Sequence, residues 1–459
     1  MWSVIVAIAA FGGAALGVVF SETVTPVFRR LGLLFFALCT GCLSSIAISG
    51  VLHREPVSAG LPLESVAGFE GYCLDDGRPL RGGRAGYTVA LVRVKDRAGT
   101  TASARGPVLV VSERRRFAWG SRVAVEGTLA RDERGGVLIF AEGRGIRSEG
   151  WQSSLFQLRR IISQRLQARI DRLGGSAASF FEALFLGITD DLSPEESYYF
   201  RLSGTIHILS LSGMHLTILS TAVLFLLMPL LGKRLSLIAA SLLIVVYLFI
   251  AGPFPALLRS GIMFLLYACT LLLEWTVPPL QLLVAAFLAM VLVDPRSAGS
   301  LSFELSFLAL FGILTLGRPA FRLLEPYLPR SIGASLAASV GATVATTPLV
   351  VACFGAYYPI GIFATLAISP AVTVFIWGGI AYLLLADSPS IVAEQMRLGM
   401  DFLHRLIIAT AELCSRSPAI RASQGYTVSA VAAMMLHLLD RYRNFRYELR
   451  IPKGDRGAS

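Results

Sequence analysis

Charged residues are scarce in this sequence. Only 15% of the 459 residues are charged, whereas 54% are hydrophobic, and the mean hydropathy is +0.66. A soluble globular domain carries roughly 25% charged residues. The composition therefore excludes an ordinary soluble protein and predicts a polytopic α-helical membrane protein.

Lysine is nearly absent. It occurs only as Lys95, Lys233 and Lys453, so arginine supplies almost all of the positive charge behind the net charge of +11. This excess indicates an anionic partner, such as nucleic acid or lipid headgroups, or the cytoplasmic loop bias of any membrane protein. Arginine suits phosphate because its planar fork binds two oxygens. A GC-rich genome would produce the same bias, and both alternatives stay open here.

Cysteine and histidine are also few. The six cysteines are scattered, and five of them lie in apolar segments, where cysteine behaves as a small hydrophobic residue. Their spacing indicates neither a disulfide framework nor a zinc knuckle. We expect no bound metal and no cofactor.

Two apolar runs, residues 2–20 and 31–51, predict two transmembrane helices within residues 1–52. The first run has no basic segment before it and no cleavage signature after it, so we expect it to be retained. Arg29 and Arg30 lie in the loop between the runs, which the positive-inside rule places in the cytoplasm. Residues after position 52 are then expected outside.

Residues 53–150 form the only long stretch of ordinary polarity. Five alternating apolar runs, separated by turns such as Asp-Gly and Gly-Gly, predict short strands and a small β-barrel. The runs are residues 66–74, 87–94, 107–112, 122–129 and 137–141. Strand number alone does not separate an OB-like barrel from a small sandwich.

One loop of this domain combines positive charge with aromatic rings. Arg114, Arg115 and Arg116 are followed by Phe117 and Trp119. Cations can follow a nucleic-acid backbone while aromatic faces stack on bases, so these residues are candidates for single-stranded DNA contact. The alternative is an exposed basic loop beside lipid headgroups.

Residues 151–175 predict an amphipathic helix. Leucines and isoleucines from Leu155 to Leu173 recur at helical spacing, and five arginines occupy the other positions. This pattern is typical of a helix lying in the membrane interface. A row of cations could also follow an incoming phosphate backbone, but we favour the lipid role.

A polar string interrupts the next apolar run. It reads Gly-Thr-Ile-His-Ile-Leu-Ser-Leu-Ser-Gly-Met-His and brings His207, Ser210, Ser212, Gly213 and His215 into a stretch without charged residues. It predicts a membrane helix whose first half can break at the Ser-Gly pair, and broken membrane helices usually line cavities. On a continuous helix the two histidines would be about 12 Å apart along the axis, too far to share a metal.

This string resembles the signature of the ComEC competence-protein family, and further motifs match on both sides. These are residues 186–193, the run Gly-Pro-Phe-Pro-Ala-Leu-Leu-Arg ending at Arg259, the pair Asp294-Pro295, and the run Phe-Glu-Leu-Ser-Phe containing Glu304, where the family usually has glutamine. The resemblance implies a channel for single-stranded DNA across the cytoplasmic membrane in natural transformation. It also implies an extracytoplasmic OB-like domain.

The resemblance further implies partners: a DNA receptor, a separate nuclease and a cytoplasmic helicase or ATPase, besides DNA and membrane lipids. Many family members carry a zinc nuclease domain. After the signature this sequence has only His404 and His437, so we expect transport rather than catalysis.

Three charged side chains fall inside apolar runs: Glu182, Arg259 and Glu304. A charge at the centre of a membrane helix costs roughly 2.5 to 3.5 kcal/mol on insertion scales. We therefore expect each to face water or a partner in the polar core, and Glu304 is a candidate partner for Arg259.

The rest of residues 176–440 predicts a polytopic channel domain. Its later apolar runs are residues 235–251, 254–273, 277–293, 301–316, 334–354 and 358–385. Loops rich in arginine and lysine alternate with neutral ones, which agrees with the crossing count and places the basic tail, residues 441–459, in the cytoplasm. Two other functions remain as alternatives: an intramembrane serine-type hydrolase using Ser212 with a histidine, and a small-molecule or lipid permease.

Overall fold

A computed structural model describes residues 58–62, 65–79, 84–113, 117–127, 129–131, 137–141, 146–252, 254–293, 300–385 and 391–421. The predicted N-terminal helices, Arg114 to Arg116, Asp294-Pro295 and the basic tail lie outside these residues. The chain divides into two compact units. The β unit contains residues up to Ala168 together with Val246–Pro253, and the helical unit contains Arg169–Val245 and residues from Phe254 onward.

All five predicted runs form strands in the β unit, and shorter strands extend them. The strands are β1 Ser58–Ala59, β2 Val66–Cys73, β3 Arg78–Pro79, β4 Arg84–Asp96, β5 Thr101–Arg105, β6 Pro107–Glu113, β7 Ser121–Glu126, β8 Leu129–Arg131, β9 Val137–Ala141 and β10 Ile146–Trp151. Alternate residues of β2 and β7 are buried, as expected for strands with one face on a core.

The main sheet has the order β10-β7-β2-β4-β6-β9-β8. Neighbouring strands are antiparallel except β6 and β9, which are parallel. This order differs from the predicted closed barrel, because the described ladders end at β10 and β8. Gly127 follows β7 and donates its N–H to the carbonyl of Ala67 at 3.0 Å. At this point the chain changes its pairing partner, since β7 pairs with β2 and β8 pairs with β9.

The core of the β unit is apolar and closely packed. Phe69, Tyr87, Val94 and Val125 are all buried in one cluster. Cys73 belongs to the same cluster, and burial raises the pKa of its thiol to about 12. It is therefore a packing residue, since the reactive form of cysteine is the thiolate.

The helices are α1 Ser154–Ile170, α2 Gly175–Leu186, α3 Pro194–Leu202, α4 Ile206–Leu209, α5 Gly213–Ala251, α6 Pro255–Leu272, α7 Pro279–Val293, α8 Leu301–Leu324, α9 Arg330–Phe354, α10 Gly361–Leu385 and α11 Ile391–Ser415. A two-stranded sheet joins β11 Ala356–Tyr357 to β12 Ile420–Arg421.

Four described helices, α5, α8, α9 and α10, are long and apolar enough to span a membrane, and α2, α6 and α7 are shorter apolar helices. Within α5, Gly232 has φ 70° and ψ 173°, a conformation that interrupts the helix and favours glycine. The interruption divides α5 into two segments of about 28 Å each, close to the thickness of a bilayer core. It lies just before Lys233 and Arg234, which precede the apolar run predicted from residue 235.

Glycines permit close helix approaches in the helical unit. Gly312 of α8 faces the backbone carbonyl of Gly341 in α9, and a side chain at either position would meet the other helix. Gly204, before α4, meets Gly361 at the start of α10, where an added Cβ would lie 3.1 Å from the Gly361 Cα. The first contact packs α8 against α9, and the second holds the signature segment against the start of α10.

Candidate channel site

The signature segment breaks where its Ser-Gly pair predicts. Helix α4 ends at Leu209, and Ser210 is extended, with φ −81° and ψ 140°. Helix α5 then begins at Gly213. Ser210 donates its hydroxyl to the carbonyl of His207 at 3.0 Å, which satisfies one acceptor freed by the end of α4. His207 and Ser210 are both exposed.

His215 lies in the first turn of α5, and its ring is only 2% exposed. The backbone N–H of Ser212 donates to Nδ1 at 3.0 Å, and the Ser212 hydroxyl oxygen lies 3.1 Å from the same nitrogen. Because Nδ1 accepts a hydrogen bond from a backbone N–H, we assign the ring proton to Nε2. No hydrogen-bond partner of Nε2 lies in the described part of the chain.

Arg259 lies in the second turn of α6 and is 8% exposed. Its Nε donates to the hydroxyl of Ser306 at 2.6 Å. Its Nη1 lies 3.7 Å from the sulfur of Met263, and its Cζ lies 5.8 Å from the Phe307 ring centroid. Among the described residues, no carboxylate lies within ion-pair distance of this guanidinium, so the suggested pairing with Glu304 is not formed.

Gly213 brings α5 against α6. A Cβ at this position would lie 3.1 Å from Nη2 of Arg259 and would overlap the hydroxyl of Ser260. Ser260 donates that hydroxyl to the carbonyl of Ala256 at 3.0 Å. The absence of a side chain at Gly213 thus lets the guanidinium lie beside the first turn of α5.

The two candidate acids are also buried within the helical unit. Glu182 lies on α2 and is 7% exposed, and Glu304 lies on the first turn of α8. Both take part in further interactions within the structure. The structure therefore brings together Ser212, Gly213, His215 and Arg259, and neither acid forms an ion pair with Arg259.

Three polar contacts were not among the predicted site residues. Ser260 and Ser306 complete the surroundings of Arg259, and polar residues within apolar runs were the signal that could have found them. In addition, Nε2 of His404 on α11 lies 3.0 Å from Oε1 of Glu196 on α3, and both side chains are buried. Nothing in the sequence pairs these two helices.

The aromatic DNA-contact candidates pack inside the β unit. Phe117 makes an edge contact with Tyr87 at 5.6 Å between ring centroids, and Trp119 makes one with Phe156 of α1 at 5.1 Å. Trp119 also lies 6.0 Å from the Phe249 ring. These contacts account for both rings without a ligand, and their stacking on DNA bases stays a prediction.

Arg159 of α1 joins this aromatic cluster, which corrects its expected place on the outer polar face of an interfacial helix. It is 4% exposed, and its Nη1 and Nη2 bind the two carboxylate oxygens of Asp76 at 2.9 and 2.5 Å. Its Nε donates to the carbonyl of Phe249 at 2.8 Å, and its Cζ lies 5.4 Å from the Trp119 ring. An inward position is favourable because carboxylate, carbonyl and ring together replace water.

No group of three or more histidine, cysteine, aspartate or glutamate side chains suitable for a metal ion occurs within the described ranges. The polar groups around Arg259 are donors and hydroxyls on apolar helices. Such a set can bind or guide an anion, because intramembrane cations generally mark pathways for charged substrates.

The apolar helices and the polar site within them define a multi-pass membrane protein. The family model described as Competence protein matches residues 184–440, more than half of the chain. The chain therefore belongs to the competence-protein family, and the resemblance to the ComEC family is confirmed.

One curated relative illustrates the family. The chain is 28% identical over 162 residues to ComE operon protein 3 of Bacillus subtilis (strain 168). This match covers 35% of the chain and 21% of the relative, so it spans about a fifth of that protein. No solved structure matches the chain.

Proposed function

We propose that this protein is a channel that passes single-stranded DNA across the cytoplasmic membrane during natural transformation. Family membership supports a role in competence DNA uptake. The single observation that carries the channel assignment is Arg259, a buried cation without a carboxylate partner among the described residues, inside the family domain. A passing phosphodiester backbone would supply the missing negative charge.

DNA uptake in a strain that lacks this gene tests the proposed function. Transformation with linear DNA should be abolished and should return when the gene is supplied in trans. Normal transformation in the deletion strain would contradict the proposal and favour the permease alternative.

We propose an OB-like domain for the β unit. The support is its five main strands, the parallel pairing of β6 with β9, and the short step from β7 to β8 at Gly127. That step connects β7, which pairs with the end strand β10, to β8 at the other end of the described sheet. Solving the strand pairing across residues 127–137 experimentally would test closure, and an unpaired β8 edge would contradict it.

The β unit is proposed to lie outside the cytoplasm and the C-terminus inside it, on the charge bias of the loops. A reporter that is active only in the cytoplasm tests this. It should be inactive after Gly135 and active after Ser459. Strong activity after Gly135 would contradict the topology.

Helix α1 is proposed to contact membrane lipids. Leu155, Leu158 and Ile161 are exposed at a spacing of three residues and share one side of the helix, an arrangement suited to a lipid interface. The remaining proposed partners are single-stranded DNA, a DNA receptor, a separate nuclease and a cytoplasmic helicase or ATPase, all inferred from the family.

Capture of DNA by the β unit is proposed to involve Arg114, Arg115 and Arg116. Each phosphate of a single strand that a cation neutralises adds about 0.7 to the slope of log affinity against log salt, so three alanines should lower the slope by about 2. Full-length protein and an oligothymidylate measured at several salt concentrations would show this. An unchanged slope would assign the basic loop to lipid headgroups instead.

A serine-type hydrolase is the second candidate, favoured by the 3.1 Å contact between the Ser212 hydroxyl and Nδ1 of His215. Against it, Nδ1 already accepts the Ser212 N–H, and no acid orients the ring among the residues that the structure describes. A fluorophosphonate probe should not label the protein. Labelling that disappears in Ser212→Ala would favour the hydrolase.

A further inference from the structure

We propose that Arg259 and the first turn of α5 form a binding site for a phosphate-class anion, called here the anion site. The site consists of Gly213, His215, Arg259, Ser260 and Ser306, all within the helical unit. This inference rests on the proposed function in one respect: the anion it assigns to the site during transport is a phosphodiester of DNA.

The charge of Arg259 lacks a carboxylate partner among the described residues. One hydroxyl, one thioether sulfur and one aromatic ring surround it, and no carboxylate does among the described residues. A neutral hydroxyl and a sulfur compensate a guanidinium poorly, because burying a charge is costly unless it is paired. Among the described residues, Nε and Nη1 have the contacts given above and Nη2 has no hydrogen-bond partner, so its donors are available to a counter-anion.

The N-termini of three helices lie near Arg259. Gly213 begins α5, so the first N–H groups of a long helix lie beside Nη2 of Arg259. Arg259 itself lies about one turn after the start of α6, and Ser306 lies in the second turn of α8. The residues at this guanidinium therefore lie within the first two turns of three helices. The N-terminus of a helix carries a partial positive charge that favours anions.

His215 has a buried ring nitrogen that lacks a partner among the described residues. Its buried Nε2 carries the ring proton in the assignment above and has no acceptor among the described residues. A buried N–H without an acceptor is unfavourable. Because His215 belongs to the same first turn of α5, a bound anion or its water is the acceptor that this side chain lacks.

Phosphate oxygens fit this set of donors. A guanidinium donates two parallel N–H groups to two oxygens of one phosphate, and backbone N–H groups at a helix start add to them. With one crossing for each apolar segment, α5, α6 and α8 all begin at the same membrane face. The anion site is therefore placed at one mouth of the proposed channel rather than at its middle.

Binding of inorganic phosphate to the full-length protein tests the site. The protein is placed in nanodiscs of zwitterionic lipid and titrated with phosphate against sodium chloride of equal ionic strength, and the unfolding temperature is followed. Phosphate should stabilise the protein. Arg259→Gln should weaken phosphate binding at least about tenfold, because it removes the charge from the hydrogen bonds. Arg259→Lys should weaken it less, because it keeps the charge and loses only the bidentate geometry of the guanidinium.

Arg318→Gln is the matched control, since it removes the same charge from an exposed position of α8. Equal phosphate affinity in Arg259→Gln and Arg318→Gln would overturn the site. If Arg259→Gln does not fold, Arg259→Lys and Gly213→Ala provide the same comparison. In these variants, wild-type phosphate affinity would overturn the proposal.

Two competition experiments distinguish a DNA phosphodiester from a lipid headgroup as the ligand of the site. An oligothymidylate should compete with inorganic phosphate in the wild type, which supports a DNA phosphodiester. Competition only by phosphatidylglycerol added to the nanodisc would support the site with a lipid headgroup as its ligand. If phosphate binding depends on Arg259 while the deletion strain still transforms, the anion site stands and the proposed DNA channel fails.

Discussion

The two units each bury an arginine, and their surroundings differ. In the β unit, Arg159 binds both oxygens of Asp76, donates to the carbonyl of Phe249 and lies over the ring of Trp119. In the helical unit, Arg259 donates to one serine hydroxyl and contacts a sulfur and a ring. One charge is paired within the fold, whereas the other has no anionic partner among the described residues.

This difference separates a structural role from a functional one. The donors of Arg159 are directed at a carboxylate and at carbonyls near the end of α5, where a cation also interacts well with the helix dipole. Arg159 thus stabilises the β unit. Arg259 has the opposite balance, since its fold supplies positive helix ends and no described carboxylate, and in the proposed anion site its counter-charge comes from outside.

Removing the aromatic contact of Arg159 should have the largest effect on stability. Trp119→Ala deletes a half-buried ring that contacts Phe156 and Phe249, and it should lower the free energy of unfolding by about 2 to 4 kcal/mol. Denaturant unfolding of purified protein measures this. A stable variant with poor DNA binding would instead show that Trp119 stacks on bases.

Removing the acid partner of Arg159 should have a somewhat smaller effect. Asp76→Ala leaves a buried guanidinium without its carboxylate and should cost about 1 to 3 kcal/mol in the same measurement. The control is Glu70→Ala, which breaks the 2.8 Å pair with Arg122, where both side chains are partly exposed. That variant should change stability by less than about 1 kcal/mol. Equal losses in both would remove the distinction between the pairs.

Placing a side chain beside Arg259 should affect transport as well as stability. Gly213→Ala places a methyl group against Ser260 and beside Nη2 of Arg259 while keeping the charge. Inserting one methyl into a packed site lowers the free energy of unfolding by about 1 to 3 kcal/mol. Because the methyl also displaces Nη2 of Arg259, we expect about a tenfold reduction of DNA entry at equal membrane levels. Gly399→Ala on α11 is the control, because its Cβ would meet nothing within 4 Å. Similar uptake by both variants would contradict the site geometry.

Local patterns allowed much of the fold to be predicted from the sequence. Alternating apolar residues predicted all five main strands, and the apolar run predicted from residue 235 begins just after the interruption of α5 at Gly232. The Ser-Gly pair likewise predicted the start of α5 at Gly213. Closure of the sheet was not predictable, because it depends on where the chain turns at Gly127 and on which strands then pair.

Contacts between distant residues explain what the sequence did not show. Arg159 looked like part of an exposed basic face because its partners Asp76 and Phe249 lie 83 and 90 residues away. Arg259 was recognisable because a lone arginine in an apolar run is costly wherever it lies. Its contact with Ser306, 47 residues later, required the packing of α6 with α8.

Transformation frequency in strains carrying Arg259→Gln or Arg318→Gln at equal membrane levels tests the central claim most directly. The two variants remove the same charge, one from the buried site and one from an exposed position. We expect Arg259→Gln to lower the frequency at least about a hundredfold, since it removes the charge that binds the phosphodiester in the proposed anion site, and Arg318→Gln to leave it near wild type. Wild-type transformation by Arg259→Gln would contradict the account.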